Sequence, residues 1–219
     1  MTDRETSEAG LPLRERKKLR TRRALVTEAL RRFTAQGFAE TTLDELVEAV
    51  EVSQRTFFRN FASKEDVALA PEQELWAAYA AAFEERPAGA APLVEFQDAL
   101  FAAVAAMDEG WAARFRASRT LAERTPALAG HSLRNCAETT ERVLELTASR
   151  HPAAVPEDAV RLRLLLELVL SAWRWAVHDW LHADVGSGVE PPGRAELVAR
   201  ARDALALLPG VAALAATTP

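Results

Sequence analysis

Apolar positions recur at helical spacing along almost the whole chain. From Leu13 to Gln36 the stripe is Leu19, Val26, Leu30 and Phe33, which predicts a helix over about 13–36. Gly37 then supplies a stop, because a glycine enters the left-handed region cheaply. Leu43, Leu46, Val47 and Val50 form an i, i+3, i+4, i+7 face behind Thr42, with Glu45 placed for a capping box. Ser53 is a suitable N-cap for a helix from Gln54 to about Asn60, and Ser63 with Asp66 reads as a second capping box opening a fourth helix. Helices this short do not stand alone in water. They must pack on the first helix through Phe33, Phe38, Leu46, Val47, Phe57 and Phe61.

Beyond residue 66 the same periodicity predicts helices over about 72–86, 92–107, 109–119, 126–150, 156–183 and 194–208. The punctuation is Pro87-Ala88-Gly89, Gly110, Pro126, His151-Pro152, the stretch 186–193 and Pro209-Gly210. Pro71 either kinks a helix or restarts one, and a hinge there is an expectation. The 156–183 helix carries two apolar faces. Leu162, Leu166, Val169, Trp173, Ala176 and Trp180 make one, and Leu164, Leu168 and Trp175 mark the other. A helix apolar nearly all round is buried on two sides. With the 194–208 helix (Leu197, Val198, Ala201, Leu205, Leu208) it could form a four-helix interface between two copies of the chain. The expected organisation is an all-α protein: a disordered tail over 1–12, a helix-turn-helix domain over 13–66 and a larger helical domain over 67–219.

Composition agrees with that picture. Nearly half of the 219 residues are hydrophobic and only nine are glycine, which suits helices and a sizeable core. One cysteine, Cys136, excludes an internal disulfide and fits a reducing cytoplasm. The polar first twelve residues predict no secretory leader. The longest apolar stretch, 160–181, is interrupted by Arg161, Arg163, Glu167, Arg174 and Asp179, so no membrane span is expected.

Charge changes the picture more. Residues 14–64 hold 12 Lys and Arg against 7 Asp and Glu, net +5, whereas the chain is −5, which leaves −10 on the remainder (15 basic against 25 acidic side chains). Seven of the basic residues fall in the run RERKKLRTRR at 14–23. A basic module on an acidic body implies a local anionic partner. The second helix of a helix-turn-helix lies in the major groove and offers its first residues to base edges. Here these are Gln54, Arg55 and Thr56, which suit adenine, guanine and a thymine methyl respectively. Ser53, Phe58, Arg59 and Asn60 belong to the same helix and its ends. Phosphate contacts are expected from Arg16, Lys17, Arg20, Thr41, Thr42 and Lys64.

The arrangement Thr42-Leu43, Val52-Ser53, Thr56, Phe61 and Lys64-Glu65, with the preceding helix and Gly37, resembles the DNA-binding domain of TetR/AcrR-family transcriptional regulators over about residues 14–68. Three positions depart from the family pattern: Glu51 stands where glycine is frequent, Phe58 where tyrosine is, and Asn60 where histidine is. The run TFFRNF is similar to an actinobacterial, mycofactocin-regulator-like subset said to bind acyl-CoA-like ligands. The resemblance implies a dimeric regulator on double-stranded palindromic DNA, a repressor released by a small effector. It also implies a ligand domain too divergent to recognise by motif. Apolar candidates for a pocket there are Trp76, Phe83, Phe101, Met107, Trp111, Phe115 and Trp173, with Arg119 and Thr139 as polar contacts. Helix-turn-helix units also serve as packing elements, so a helical ligand-binding or interaction protein without DNA activity is the alternative.

No enzyme, metal site or cofactor is expected. His178-Asp179-Trp180-Leu181-His182 places two histidines at i, i+4, but it offers neither a third ligand nor a glutamate base. Cys136 has no identifiable base beside it.

Overall fold

A computed structural model of the chain describes residues 12–86, 89–152, 155–183 and 191–214. The tail expected over 1–12 lies, apart from Pro12, outside them. The described residues form eleven α-helices and no strand: α1 Leu13–Gln36, α2 Leu43–Ala49, α3 Gln54–Phe58, α4 Lys64–Ala68, α5 Ala70–Glu85, α6 Pro92–Ala105, α7 Trp111–Arg124, α8 Pro126–Arg150, α9 Pro156–Leu181, α10 Arg194–Ala206 and α11 Leu208–Leu214. No helix among them is long and apolar enough to cross a membrane.

The chain divides into two compact units, and the division is not a single cut. One unit comprises the chain to Glu74 together with Asp108–Asn135; the other comprises Leu75–Met107 and the chain from Cys136 onward. The first unit therefore contains α1–α4 and also α7.

In the first unit α1 buries Leu25, Val26, Ala29, Leu30 and Phe33 against Leu46, Val47, Phe57, Phe61 and Val67. Gly37 ends α1 at φ 102°, where a side chain would be strained, and its N–H donates to the Phe33 carbonyl (3.1 Å). From α7 the Trp111 Nε1–H donates to the Pro71 carbonyl (2.9 Å), and the Ser118 hydroxyl donates to the Ala68 carbonyl (2.6 Å). Pro71 is the second residue of α5, where a missing N–H costs nothing, so it restarts the helix rather than kinking one. Buried Glu72 accepts from Arg119 Nη1 (3.1 Å) and Ser132 Oγ (2.8 Å).

The second unit is built on α9, which packs against α10 and α6. Its core holds Phe83 stacked on Phe96, with Leu100, Val104, Leu166, Val169, Trp173 and Trp180. The Trp180 Nε1–H donates to the Gly193 carbonyl (3.1 Å), which anchors the start of α10. Only one of the two apolar faces of α9 is covered by the described residues. Leu164, Leu168 and Trp175 are 58, 40 and 62 % exposed.

Three boundaries differ from the periodicity. α7 continues to Arg124, because Leu121 and Ala122 join the first unit's core. α3 ends at Phe58. Residues Pro209-Gly210 do not end the helical region but open α11, since a proline near a helix start gives up only an N–H with no partner in the first turn.

Candidate nucleic-acid interface

The helix-turn-helix is assembled by side-chain caps. Thr42 Oγ1 accepts from the Glu45 N–H (3.3 Å), and Glu45 Oε2 accepts from the Thr42 N–H (2.7 Å), which closes the expected capping box. That main-chain N–H holds the Glu45 carboxyl below the usual carboxylate range. Ser53 Oγ accepts from the Thr56 N–H (3.2 Å), and Ser63 Oγ from the Asp66 N–H (3.1 Å). The reciprocal bond at Ser63 is shifted by one residue: Asp66 Oδ2 accepts from the Ala62 N–H (3.1 Å) instead.

Between α2 and α3 the chain makes a Schellman turn. The Val52 N–H donates to the Val47 carbonyl (2.9 Å) and the Glu51 N–H to the Glu48 carbonyl (3.0 Å). This places Glu51 at φ 54°, the one positive φ at a non-glycine residue among the described residues. The turn needs the left-handed conformation whatever residue occupies it. Glutamate there costs about 1–2 kcal/mol in backbone strain.

Helix α3, where the recognition residues are expected, turns Phe57 into the core and leaves Gln54, Arg55 and Phe58 exposed, as is Arg59 at its end. Arg55 has no ion pair among the described residues, so its guanidinium is available for a guanine edge. Gln54 Nε2 donates to Asp44 Oδ1 (2.5 Å). An ionised carboxylate only accepts, so this bond fixes which end of the amide faces Asp44 and turns Oε1 away from it. Asn60 Nδ2 donates to the Thr56 carbonyl (2.8 Å), while the Asn60 main-chain carbonyl accepts from Arg22 Nη1 (2.6 Å).

Beside α3 runs an open groove of about 450 Å³. It is lined by Arg14, Glu15, Lys17, Lys18 and Thr21 of α1 and by Thr56, Arg59 and Asn60 of the recognition segment. Four cations face one carboxylate there. Of the α1 residues expected to meet phosphate, Lys17 lines this groove, whereas Arg16 and Arg20 are exposed on other faces of the helix. Arg14 and Lys18, which also line it, are not among the expected contacts. Their i, i+3, i+4, i+7 spacing with Lys17 and Thr21 marks a single face and was the signal that could have found them.

Two expected phosphate ligands are engaged inside the unit. Thr41 is fully buried and its hydroxyl donates to the Gly37 carbonyl (2.8 Å). Lys64 Nζ donates to the carbonyls of Phe38 (2.5 Å) and Thr41 (2.8 Å) and lies 4.5 Å from the Phe38 ring centroid. It ties α4 to the segment after α1. Thr42 remains exposed at the start of α2.

The nine pocket candidates are not all in one unit. Trp111, Phe115 and Arg119 belong to the first; Trp76, Phe83, Phe101, Met107, Thr139 and Trp173 belong to the second. Trp111 stacks on Phe115 at 4.5 Å between ring centroids, and Arg119 is paired with Glu72. In the second unit Trp76, Phe83, Met107 and Trp173 are buried, and the Arg202 guanidinium lies over the half-buried Phe101 ring. Tyr79 was not anticipated. It is 1 % exposed and its hydroxyl has no hydrogen-bond partner among the described residues. Burial pushes its phenol well above the ordinary range, so the group remains a donor. His178 and His182 are exposed, and their rings face each other with centroids 4.3 Å apart.

Residues 25–70, which span the core of α1 through the start of α5, match the family model for bacterial regulatory proteins of the tetR family. The HTH-type transcriptional regulator TcmR of Streptomyces glaucescens is 40 % identical over 181 residues, covering 80 % of each chain. Among solved structures, a transcriptional regulator from Aquifex aeolicus VF5 is 16 % identical over 86 % of this chain and 99 % of its own, with TM-score 0.49. Salmonella enterica GusR is 20 % identical over 88 and 95 %, with TM-score 0.47. The assignment rests on the family model and on the TcmR match, which extends well beyond the helix-turn-helix: the chain belongs to the TetR family of transcriptional regulators.

Proposed function

We propose that this regulator is a cytoplasmic repressor that binds a palindromic operator as a homodimer and is released by a small hydrophobic or acyl-type effector. The observation that carries the DNA reading is the capped recognition helix with free Arg55 beside the groove of Arg14, Lys17, Lys18 and Arg59. Arg55 and the oriented Gln54 supply base readout, and the groove cations hold the phosphate backbone. A two-fold operator needs two recognition helices about one helical turn of DNA apart, roughly 34 Å. The uncovered stripe Leu164, Leu168 and Trp175 on α9 supports a second copy as its cover.

The effector side is favoured by the aromatic surroundings of Tyr79 in the second unit together with its buried hydroxyl, which has no partner among the described residues. An effector that bonds this hydroxyl would act by favouring a state in which α4 has shifted, and only if it binds the two states unequally. Tyr79→Phe is expected to leave operator binding intact and to raise the effector concentration needed for release.

The test is selection of duplexes from a random pool, followed by titration of affinity against salt. A palindromic consensus is expected, with a slope near −0.9 per neutralised phosphate. Arg55→Ala should weaken binding by about 1–3 kcal/mol and relax preference at one position in each half-site. Unchanged affinity and preference would remove Arg55 from the recognition face. Leu168→Glu with Trp175→Glu should give a helical monomer in sedimentation that no longer holds the palindrome. A double variant that remains dimeric would reject α9 as the interface.

A further inference from the structure

Phe58 stands out within the reading head. From residue 14 to residue 93 it is the only large apolar side chain among the described residues that is exposed, at 55 %. A single exposed apolar residue is ordinary on a protein surface. What distinguishes this one is its face. It lies four residues after Gln54 and three after Arg55, so the three side chains share one side of α3. Its ring stands edge-on to buried Phe57, with centroids 5.5 Å apart and an interplanar angle of 87°, and Phe57 in turn packs on Phe61 at 5.6 Å. The ring is therefore buttressed from the core side while its other side is open to solvent.

A phenyl ring has no donor for a phosphate oxygen and no acceptor for a base amine. The one apolar group that a base edge presents in the major groove is the 5-methyl of thymine. We infer that Phe58 reads a thymine methyl in each operator half-site and so sets specificity at a position separate from that read by Arg55. The inference rests on the DNA-binding reading above. It differs from that reading in requiring an apolar contact with a base rather than a charged or hydrogen-bonded one.

The test uses the intact protein and the duplex enriched from the random pool. Each thymine is replaced in turn by deoxyuridine, which removes the methyl and keeps every hydrogen-bonding group. One symmetry-related pair of thymines should respond, with affinity falling about fourfold for each methyl lost. Phe58→Ala should bind the thymine and deoxyuridine duplexes equally, and Phe58→Tyr, which keeps the ring, should still distinguish them. Because Phe58 is exposed, these variants are expected to retain the helicity and thermal midpoint of the parent. A deoxyuridine scan without effect overturns the inference and leaves the DNA reading standing. So does a methyl effect of the same size in Phe58→Ala, which would place the contact on another residue such as Thr56. If no duplex is enriched at all, the DNA reading fails and this inference falls with it.

Discussion

The three short helices of the reading head and the long helices of the second unit are held by different means. α2, α3 and α4 have seven, five and five residues, and each begins with a side-chain cap, from Thr42, Ser53 and Ser63. α6, α9 and α10 have 14, 26 and 13 residues, and none has a side-chain cap; Ala91, Val155 and Gly193 stand at the N-cap positions. A short helix makes few internal hydrogen bonds, so satisfying one more free N–H is a large fraction of its stability. A long helix spreads the same end cost over several turns of buried apolar surface. The functional consequence follows. The Ser53 cap sets where α3 starts, and Gln54 and Arg55 follow directly from it. Packing fixes α9 along a stripe but leaves its other apolar face uncovered by the described residues.

Phe57 is the residue through which α3 reaches the core. Phe57→Ala should cost about 3–5 kcal/mol in urea unfolding and remove operator binding, since Phe57 is the one side chain of this five-residue helix buried in the core. A loss below about 1 kcal/mol would mean that the caps alone hold α3. Next comes Lys64→Ala, which removes two hydrogen bonds from a charged donor to main-chain carbonyls. The expected loss is about 1.5–3 kcal/mol of stability. Operator affinity measured well below the melting range separates this anchoring from any phosphate contact. If stability is unchanged while affinity and salt slope fall, Lys64 serves the phosphate and not the fold.

Caps themselves can be exchanged between the two regions. Ser53→Ala should destabilise by about 1 kcal/mol, and Ala91→Ser, which offers α6 a cap on extended backbone, should stabilise by a smaller amount. Equal and opposite effects would show that helix length is irrelevant to what a cap contributes. The smallest change is expected at the turn. Glu51→Gly relieves left-handed strain but frees the unfolded chain, for a net gain of about 0.5–1 kcal/mol in chemical denaturation. A loss of stability would mean that the Glu51 side chain makes a contribution larger than the strain it carries.

The legible parts of the molecule are those encoded by neighbours in the chain. A capping interaction spans three residues, so Thr42, Ser53 and Ser63 announced α2, α3 and α4 directly. The stop at Gly37 and the unusual residue at Glu51 were equally local. Apolar periodicity over many turns was also sufficient to place α1, α6, α8 and α9 within a residue or two.

Long-range placement was not legible. Thr41 and Thr42 are adjacent threonines with similar hydroxyls, yet one is buried on the Gly37 carbonyl and the other is exposed at a helix start. Nothing in residues 60–66 foretells that the Lys64 ammonium turns inward to two carbonyls some 25 positions earlier. Aromatic residues at helical spacing look alike whether they belong to one unit or the other, which is why Trp111 and Phe115 could not be separated from Trp76 and Phe83.

By itself the sequence determined that the protein is helical, where its short helices begin, and that α3 displays Gln54 and Arg55. These follow from hydrogen bonds and side-chain periods that reach no further than a turn or two. Tertiary structure decided which cations share the groove beside α3, that Thr41 and Lys64 hydrogen-bond to carbonyls of their own unit, that the Tyr79 hydroxyl is buried without a partner among the described residues, and which face of α9 they leave open. Each of those depends on segments far apart in the chain being brought together, and burial is a property of that assembly rather than of any residue alone.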